Sequence, residues 1–388
     1  MNRYYRPSNR RRFERKFNKS SAIDTSFFIK KAEALKKEEE YIPTLKYTNL
    51  NINETLKQNV LSKGYTLPTP IQDKAIGPIL QGKDIVGVAA TGTGKTAAFL
   101  IPLIEKIIRS KEKTEKILIL IPTRELATQI NAEFRALSQN TNIYSIVCIG
   151  GTNINAQIRS FRYPYNFIIA TPGRLKDLYK RGVAKLNNVK YVVLDEVDRM
   201  FDMGFGNDIR FLLEEIPTPR QNLFFSATIS PNIEQLFSKY LVNPEKVQIA
   251  SVAGVNNIEQ NVVRVPEGKT KIDILHDLLI KDDFSKVLVF GKTKWGVKSL
   301  HQQLEYRGFK VESIHGNKTQ AQRQKSLNLF KESRVNILVA TDVAARGIDV
   351  KDISHVINYD LPATREDYIH RIGRTGRANK TGVALTFI

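Results

Sequence analysis

From Tyr47 onward, short apolar runs alternate with longer segments whose apolar positions recur at helical spacing. The first set of runs is Asp84–Val88, Ile117–Ile121, Ser145–Ile149, Phe167–Ala170, Tyr191–Leu194, Leu223–Phe225 and Val247–Ile249. They are rich in β-branched residues and bounded by turns, which predicts strands buried on both faces of a parallel sheet. Strands alternating with helices predict a doubly wound α/β domain. The polar, weakly patterned stretch from Ser251 to Asn257 predicts a linker. Beyond it the alternation resumes with Val262–Val265, Lys286–Phe290, Val311–Ile314, Ile337–Ala340, His355–Tyr359 and Val383–Ile388, which predicts a second α/β domain. No helix follows the last run, so one flank of the second sheet is expected to be thinly covered.

The resulting division is 1–44 as a basic, disordered extension, 45–250 as domain 1, 251–257 as linker and 258–388 as domain 2. Within the extension, residues 1–20 interleave Arg3, Arg6, Arg10, Arg11, Arg12, Arg15, Lys16 and Lys19 with Tyr4, Tyr5, Phe13 and Phe17. Such a segment cannot bury enough apolar surface to fold alone. Its aromatics suit stacking on bases and its cations suit phosphates, although a solvated tail has the same composition. Phe27–Glu40 has the pattern of a short helix.

Charge changes the picture next. Of 388 residues, Lys and Arg number 60 against 39 Asp and Glu, a formal net charge of +21. A phosphate polymer is the natural partner for that surface, with an anionic membrane as the alternative. Apolar runs all fall short of the roughly 20 residues of a membrane-spanning helix, and no secretory signal is seen, so the expected location is cytoplasmic. Cys148 is the only cysteine, which excludes an intramolecular disulfide and cysteine-built metal sites, and its apolar neighbours predict a core residue.

The chemistry centres on Ala89-Ala90-Thr91-Gly92-Thr93-Gly94-Lys95-Thr96, between a predicted strand and a predicted helix. Successive backbone N–H groups in such a turn converge on an anion, and the helix N-terminus adds partial positive charge. Gly92 and Gly94 permit the close approach, Lys95 supplies a point charge for the β/γ-phosphates, and Thr96 a hydroxyl for Mg²⁺. The strand Tyr191–Leu194 runs into Asp195-Glu196-Val197-Asp198. Asp195 there would hold Mg²⁺ largely through water, and Glu196 would position and deprotonate an attacking water, which makes the reaction a hydrolysis. Upstream, Gln72 matches the donor and acceptor on the Hoogsteen edge of adenine and Tyr65 can stack on the ring, so ATP is the expected nucleotide.

With these strings the chain resembles the DEAD-box ATP-dependent RNA helicases of superfamily 2, of bacterial type, from Tyr47 to the end. Gly64–Gln72 resembles the Q motif, with Tyr47 where the family prefers Phe upstream, and Ala89–Thr96 resembles motif I. Pro122–Ala127, Gly150-Gly151 and Thr171–Arg174 resemble strand-binding motifs, and Ser226-Ala227-Thr228 the coupling motif. Asp195–Asp198 stands where the family reads Asp-Glu-Ala-Asp, with Val197 in place of Ala. Val289–Thr293, Gln320–Arg323, Ala340–Asp349 and His370–Arg377 resemble motif IV, the Q-x-x-R element, motif V and motif VI.

The resemblance implies two tandem RecA-like domains, an RNA-stimulated ATPase and local unwinding of short duplexes. It implies that Arg374 and Arg377 reach the γ-phosphate when the domains close, and that Asp349 binds the ribose. Thr123, Arg124, Gly151, Thr171 and Arg174 would line the strand on one side, and Arg323 and Thr341 on the other. Asp198, Ser226, Thr228 and His370 would couple the domains. These residue types address phosphate and sugar, which predicts sequence-tolerant, salt-sensitive binding. On their own they indicate a nucleic acid backbone, and the choice of RNA over DNA rests on the resemblance. A monomer is expected. Ribosome assembly, RNA decay and cold adaptation all use such proteins, so the target RNA and any ribosomal or RNA-decay partners stay open.

Overall fold

The computed structural model describes residues 28–31, 41–89, 92–112, 114–249, 257–345, 350, 352–376 and 381–388. The expectations for residues 1–20 and for Thr91, Asp349 and Arg377, and nearly all of the predicted linker, lie outside them.

The first sheet contains β1 (Ile85–Val88), β2 (Lys116–Leu120), β3 (Ser145–Cys148), β4 (Phe167–Ala170), β5 (Val189–Leu194), β6 (Gln221–Ser226) and β7 (Glu245–Gln248). The second contains β8 (Ile258–Val263), β9 (Val287–Phe290), β10 (Val311–Ile314), β11 (Ile337–Ala340), β12 (His355–Asn358) and β13 (Gly382–Phe387). Their orders are β3-β4-β2-β5-β6-β1-β7 and β10-β11-β9-β12-β13-β8, and every pairing is parallel. These are two RecA-like sheets, each flanked by helices.

Alternation along the central strands builds a core on each face of the first sheet. Ile117, Ile119 and Ile121 join Phe99, Leu103 and Phe134 on one side. Leu118 and Leu120 join Leu175, Val197, Met200 and Leu212 on the other. Val197 is fully buried in that second core. At Gly87 a Cβ would come within 2.3 Å of the Phe225 ring, so the strand needs glycine where that ring crosses it.

Two expectations change in the second domain. The strand predicted at Val262–Val265 runs instead over Ile258–Val263. It is an edge strand, and its polar residues Glu259, Gln260 and Asn261 hide it from a search for apolar runs. The flank expected to be bare is covered. Tyr368 and Ile372, from the helix Arg365–Ile372, pack with Ile258, Ala384 and Phe28. Phe28 is only 1% exposed, and Lys30 exchanges backbone hydrogen bonds with Gln260 at 2.9 and 2.8 Å. Residues 28–31 are therefore not a loose tail, because the apolar face of β8 and β13 gives Phe28, in a 3-10 turn, a place to bury.

Candidate functional site

Because the strands of the first sheet are parallel, the loops after them emerge at one rim. The phosphate loop follows β1, Asp195 follows β5, and Ser226 ends β6, which lies between those two strands. Gly150-Gly151 and Thr171 follow β3 and β4 on the same rim. Ligands of open α/β sheets bind at this carboxyl edge.

In the loop, Gly92 and Gly94 have φ of 84° and 94°, a region glycine enters without steric cost. A Cβ on Gly94 would meet Gln72 Nε2 at 2.6 Å and Thr69 Oγ1 at 2.9 Å. Lys95 and Thr96 open the long helix Lys95–Arg109, with Lys95 buried and Thr96 half-buried. The Lys95 ammonium donates to the Ala89 carbonyl at 3.0 Å and lies 3.7 Å from Asp195 Oδ1. Sequence-distant motifs thus meet at one point, as expected from their order.

Gln72 sits in the first turn of the helix Pro70–Leu80, 3% exposed. Its Oε1 accepts from Thr69 N at 2.8 Å and from the Tyr47 hydroxyl at 2.6 Å, and its Nε2 donates to the Gly94 carbonyl at 3.1 Å. Here its amide ties the Thr69–Gln72 turn and Tyr47 to Gly94 of the phosphate loop. Tyr65, expected to stack on the base, is held by two neighbours. Its hydroxyl donates to Glu133 at 2.5 Å and its ring stacks on Tyr47, with centroids 6.1 Å apart. Tyr65 supports Tyr47, and Tyr47 orients Gln72.

The acids occupy a strained turn. Glu196 takes a left-handed backbone (φ 54°, ψ 52°) and caps the short helix Val197–Asp202. Such a conformation is rare outside glycine and clusters at functional sites. Burial pushes the Asp195 carboxyl up to about 6, opposed by the Lys95 charge and reinforced by Glu196. Glu196 is also raised by burial, but Arg199, Lys95 and Arg374 outweigh that and hold it below the usual carboxylate range. The Thr96 hydroxyl and Asp195 carboxylate are hard oxygen donors beside a phosphate loop. That set fits Mg²⁺, which keeps several waters and takes its other ligands from phosphate.

Asp198 carries the link to β6. Its Oδ2 accepts from Ala227 N at 3.0 Å, Thr228 N at 2.9 Å and Thr228 Oγ1 at 3.2 Å, while its own N–H donates to Ser226 Oγ at 3.2 Å. The expected Asp198, Ser226 and Thr228 group is therefore one connected network.

The expected strand-binding residues also converge. Thr123 and Thr171 stand at the N-termini of helices Arg124–Leu137 and Pro172–Lys180, both buried. The Thr123 hydroxyl is used as a cap, accepting from Leu126 N at 3.3 Å. The Arg124 guanidinium lies against Gly150 and Gly151. A Cβ on Gly151, whose φ is 71°, would come within 1.9 Å of it. Arg174 donates to the Thr152 carbonyl at 3.4 Å. Burial lowers the Arg124 pKa first, and repulsion from Arg323 and Arg174 lowers it further. Arg174 and Arg323 thus concentrate positive charge around Arg124 beside a glycine turn, an arrangement suited to an anion.

Arg323 comes from the helix Gln320–Lys331 of the second domain and pairs with Glu125 of the first at 3.1 Å. Gln320 Nε2 reaches the same Glu125 oxygen at 3.3 Å. Thr341, half-buried, follows β11, its N–H donating to the Ile314 carbonyl at 3.3 Å. His370 and Arg374 line a small interdomain space together with Arg199, Phe290, Asp342, Asp367 and Arg371. Arg374 is 5% exposed, and its Nε donates to the His370 carbonyl at 3.2 Å.

Sequence reasoning assigned no role to Glu125, Arg199, Gln320 or Arg371. Arg199 stands three residues after Glu196 on a helix, a spacing that puts the two on one face and could have flagged it. Arg371 is fully engaged within its own domain. It holds Asp342 through two bonds at 2.6 and 2.8 Å and also donates to Asn358 and the Asp360 carbonyl.

Among the described residues no helix is long and apolar enough to cross a membrane. Two family models match the chain: DEAD/DEAH box helicase over residues 69–236 and helicase conserved C-terminal domain over 270–379. It is 44% identical over 344 residues to the ATP-dependent RNA helicase CshA of Listeria monocytogenes, covering 88% of this chain and 66% of that one. It is also 44% identical over 346 residues to the DEAD-box ATP-dependent RNA helicase CshA of Bacillus subtilis, covering 89% and 70%. This chain thus spans about two thirds of the length of such relatives. Among solved structures, S. cerevisiae Dbp5 bound to RNA and ADP BeF3 superposes with a TM-score of 0.77 at 28% identity, covering 88% of this chain and 89% of that one.

Proposed function

The chain belongs to the DEAD-box helicase family, and from that premise we propose that it is an RNA-dependent ATPase that closes its two domains around ATP and a single RNA strand. The observation that carries this reading is geometric: His370 and Arg374 of the second domain line one small space with Arg199 of the first, the ion-pair partner of Glu196. An arginine of one domain stands this near the carboxylates of the other only when the two are together.

In this reading the phosphate loop holds the triphosphate by its N–H groups and Lys95. Glu196 orients a water and accepts its proton as the water oxygen bonds to the γ-phosphorus and the bond to the β-phosphate oxygen breaks. Arg374 and Arg377 meet the charge that develops on the γ-phosphoryl oxygens, a contribution worth about 10³–10⁵ in rate in related phosphoryl transfers. Mg²⁺, when held through Thr96 and Asp195, supplies charge neutralisation at the phosphates. Asp349 holds the ribose.

RNA enters as the second ligand of closure. Arg124, Arg174, Thr123, Thr171 and Gly151 address phosphates from one side, and Arg323 and Thr341 from the other. Strand and nucleotide then stabilise the same closed arrangement, so each raises the affinity for the other. A strand bent to fit this path separates from its complement locally, and hydrolysis reopens the domains. The protein acts as a monomer in the cytoplasm.

Glu196→Gln tests the chemical step. Turnover is expected to vanish while ATP and RNA still bind, and near-normal hydrolysis by the variant removes Glu196 from the mechanism. Stimulation by single-stranded RNA and DNA at equal salt tests the substrate. A large preference for RNA is expected, and equal stimulation points to a DNA-directed enzyme instead.

A further inference from the structure

Trp295 is the chain's only tryptophan, and 62% of it is exposed. It stands at the rim of the second sheet, beside Thr341. The neighbouring parallel strands β10, β11 and β9 all end at that rim. The Thr341 N–H is tied to the end of β10, and the Gly291 N–H donates to the Ala340 carbonyl at 3.0 Å. The turn after β9 is thus pinned one residue from Thr341. Trp295 follows Gly291 by four positions, at most roughly 14 Å along the chain. Thr293 caps the helix Lys294–Tyr306, its hydroxyl accepting from Gly296 N at 3.0 Å. Side chains of a helix lean toward its N-terminus, so Trp295, in the first turn, leans toward the rim. The buried side of the helix is Val297, Leu300 and Leu304, which leaves Trp295 on the outer side. Gly296 beside it has no side chain to lie over the indole.

Isolated apolar side chains on a surface are ordinary and need no ligand. The setting of Trp295 is not ordinary. Lys292, Lys294 and Lys298 are exposed around it, and residues 291–304 contain no acid. The Lys294 ammonium lies 5.8 Å from the centre of the indole ring. Asp360, an acid within reach, is occupied in accepting from the Lys292 N–H at 2.8 Å. Burial, then the charges of Lys318, His301, Lys298 and Arg323, lower the His315 pKa. Lys298 and Arg323 therefore stand near one imidazole, which joins the lysine patch to the residues expected to hold the strand. Cations that meet phosphates around a ring that can stack on a base are the means by which single strands are gripped without sequence readout.

We propose that Trp295 is a base-stacking platform at one end of the RNA path, where it receives an unpaired base while Lys292, Lys294 and Lys298 meet the flanking phosphates. The proposal rests on the RNA-dependent ATPase reading and deepens it. Arg124, Arg174, Arg323 and the threonines address phosphate and sugar, whereas Trp295 adds a contact to a base. A base stacked on protein is a base withdrawn from a duplex, so the platform favours a strand that leaves its complement at this point. Every base has a π-face, which keeps the binding sequence-tolerant. Purines offer the larger face and gain more from it.

The test uses the full chain with Mg²⁺, a non-hydrolysable ATP analogue and an oligoadenylate of about ten nucleotides. A companion set of oligomers replaces one nucleotide at a time by an abasic spacer, which keeps the phosphates and removes one base. Anisotropy of the end-labelled oligomers reads affinity. Because the chain has a single tryptophan, its emission reads the indole of Trp295 alone. In the wild type, binding is expected to quench that emission, and one or two adjacent abasic positions are expected to weaken binding about tenfold. Trp295→Ala is expected to bind the intact oligomer about tenfold more weakly, with no further loss at those same positions. Trp295→Phe is expected to recover most of the affinity. The slope of log K against log salt should be kept in Trp295→Ala, which loses no phosphate contact, and should flatten by about 0.7 in Lys298→Gln. Binding with unchanged indole emission overturns the platform. So does a Trp295→Ala chain that still loses affinity at the sensitive abasic positions, since the residue then acts on the shape of the turn and not on a base. Affinity unchanged in Trp295→Ala also overturns it and leaves the indole to a protein partner. A wild-type chain that binds no oligomer, intact or abasic, condemns the RNA reading itself, whereas tight binding with no sensitive position condemns the platform alone.

Discussion

Glu196 and Arg199 form an ion pair at 2.5 Å in which both side chains are almost fully removed from solvent. The guanidinium NH1 donates to Glu196 Oε2, while Nε and NH2 of Arg199 find no hydrogen-bond partner. A buried charge with unmet donors is costly, so the pair is held by the surrounding fold rather than holding it.

Replacing Arg199 by Ala removes the strongest neighbouring charge that keeps Glu196 ionised and leaves the carboxylate free to turn. We expect kcat to fall about ten- to hundredfold, the scale of a misplaced general base. Arg199→Lys is expected to recover part of it. Steady-state ATPase assays at saturating RNA measure both, and an Arg199→Ala rate equal to wild type removes Arg199 from the chemistry.

Gly151→Ala places a methyl where the Arg124 guanidinium lies, at a backbone φ of 71° that alanine resists. The clashing atoms end a flexible side chain, so Arg124 is expected to swing away while the domain stays folded. One charge-assisted contact to the strand is then lost, which lowers RNA affinity on the order of tenfold. The dependence of log K on log salt is expected to flatten by about 0.7. Fluorescence anisotropy titrations at several salt concentrations measure both effects.

Glu125→Gln leaves the mostly buried Arg323 without its countercharge, but only in the closed arrangement, because the partners belong to different domains. The variant is expected to weaken RNA-stimulated turnover several-fold, with unstimulated ATP binding unaffected. Arg323→Ala should cost more, since it also removes a strand contact. A double-mutant cycle on the RNA concentration for half-maximal ATPase should give a coupling of about 0.5–3 kcal/mol.

The second domain should lose stability in mild acid. Burial pushes the imidazoles of His315 and His355 below their ordinary value, and His355 is stacked on Phe284 with centroids 3.8 Å apart. The unfolded chain takes up these protons near pH 6.5, whereas the folded chain resists them to lower pH. Below about pH 6.5 the unfolded state thus binds more protons, and stability falls with pH until the folded imidazoles also titrate. Thermal unfolding between pH 7.5 and 5 should show the decline. His355→Phe should flatten it.

The fold was readable because buried parallel strands are written as continuous apolar runs, and the central strands announce themselves that way. β8 did not, since an edge strand needs apolar residues on only part of one face. The candidate nucleotide site left a comparable trace, because a phosphate loop demands glycines and a lysine at fixed spacing and acids at the end of a buried strand. Pairings that join distant segments left weaker traces. Glu125 with Arg323 and Phe28 with Tyr368 depend on which surfaces meet, and neither residue of such a pair has an unusual local pattern. Tyr65 belongs with them in part. Its motif suggested a ligand contact, and its contacts to Glu133 and Tyr47 were not announced by any local pattern.

Cys148, the chain's only cysteine, ends β3 at 1% exposure, and burial lifts its thiol to about 12. At neutral pH that sulfur is protonated and out of reach, so maleimide dyes and spin labels will pass it by. The wild-type protein is therefore already a silent background for thiol chemistry. One cysteine introduced on each domain gives a site-specific pair of probes without removal of the native cysteine, and the opening and closing of the two sheets can be timed by energy transfer in an otherwise unaltered chain.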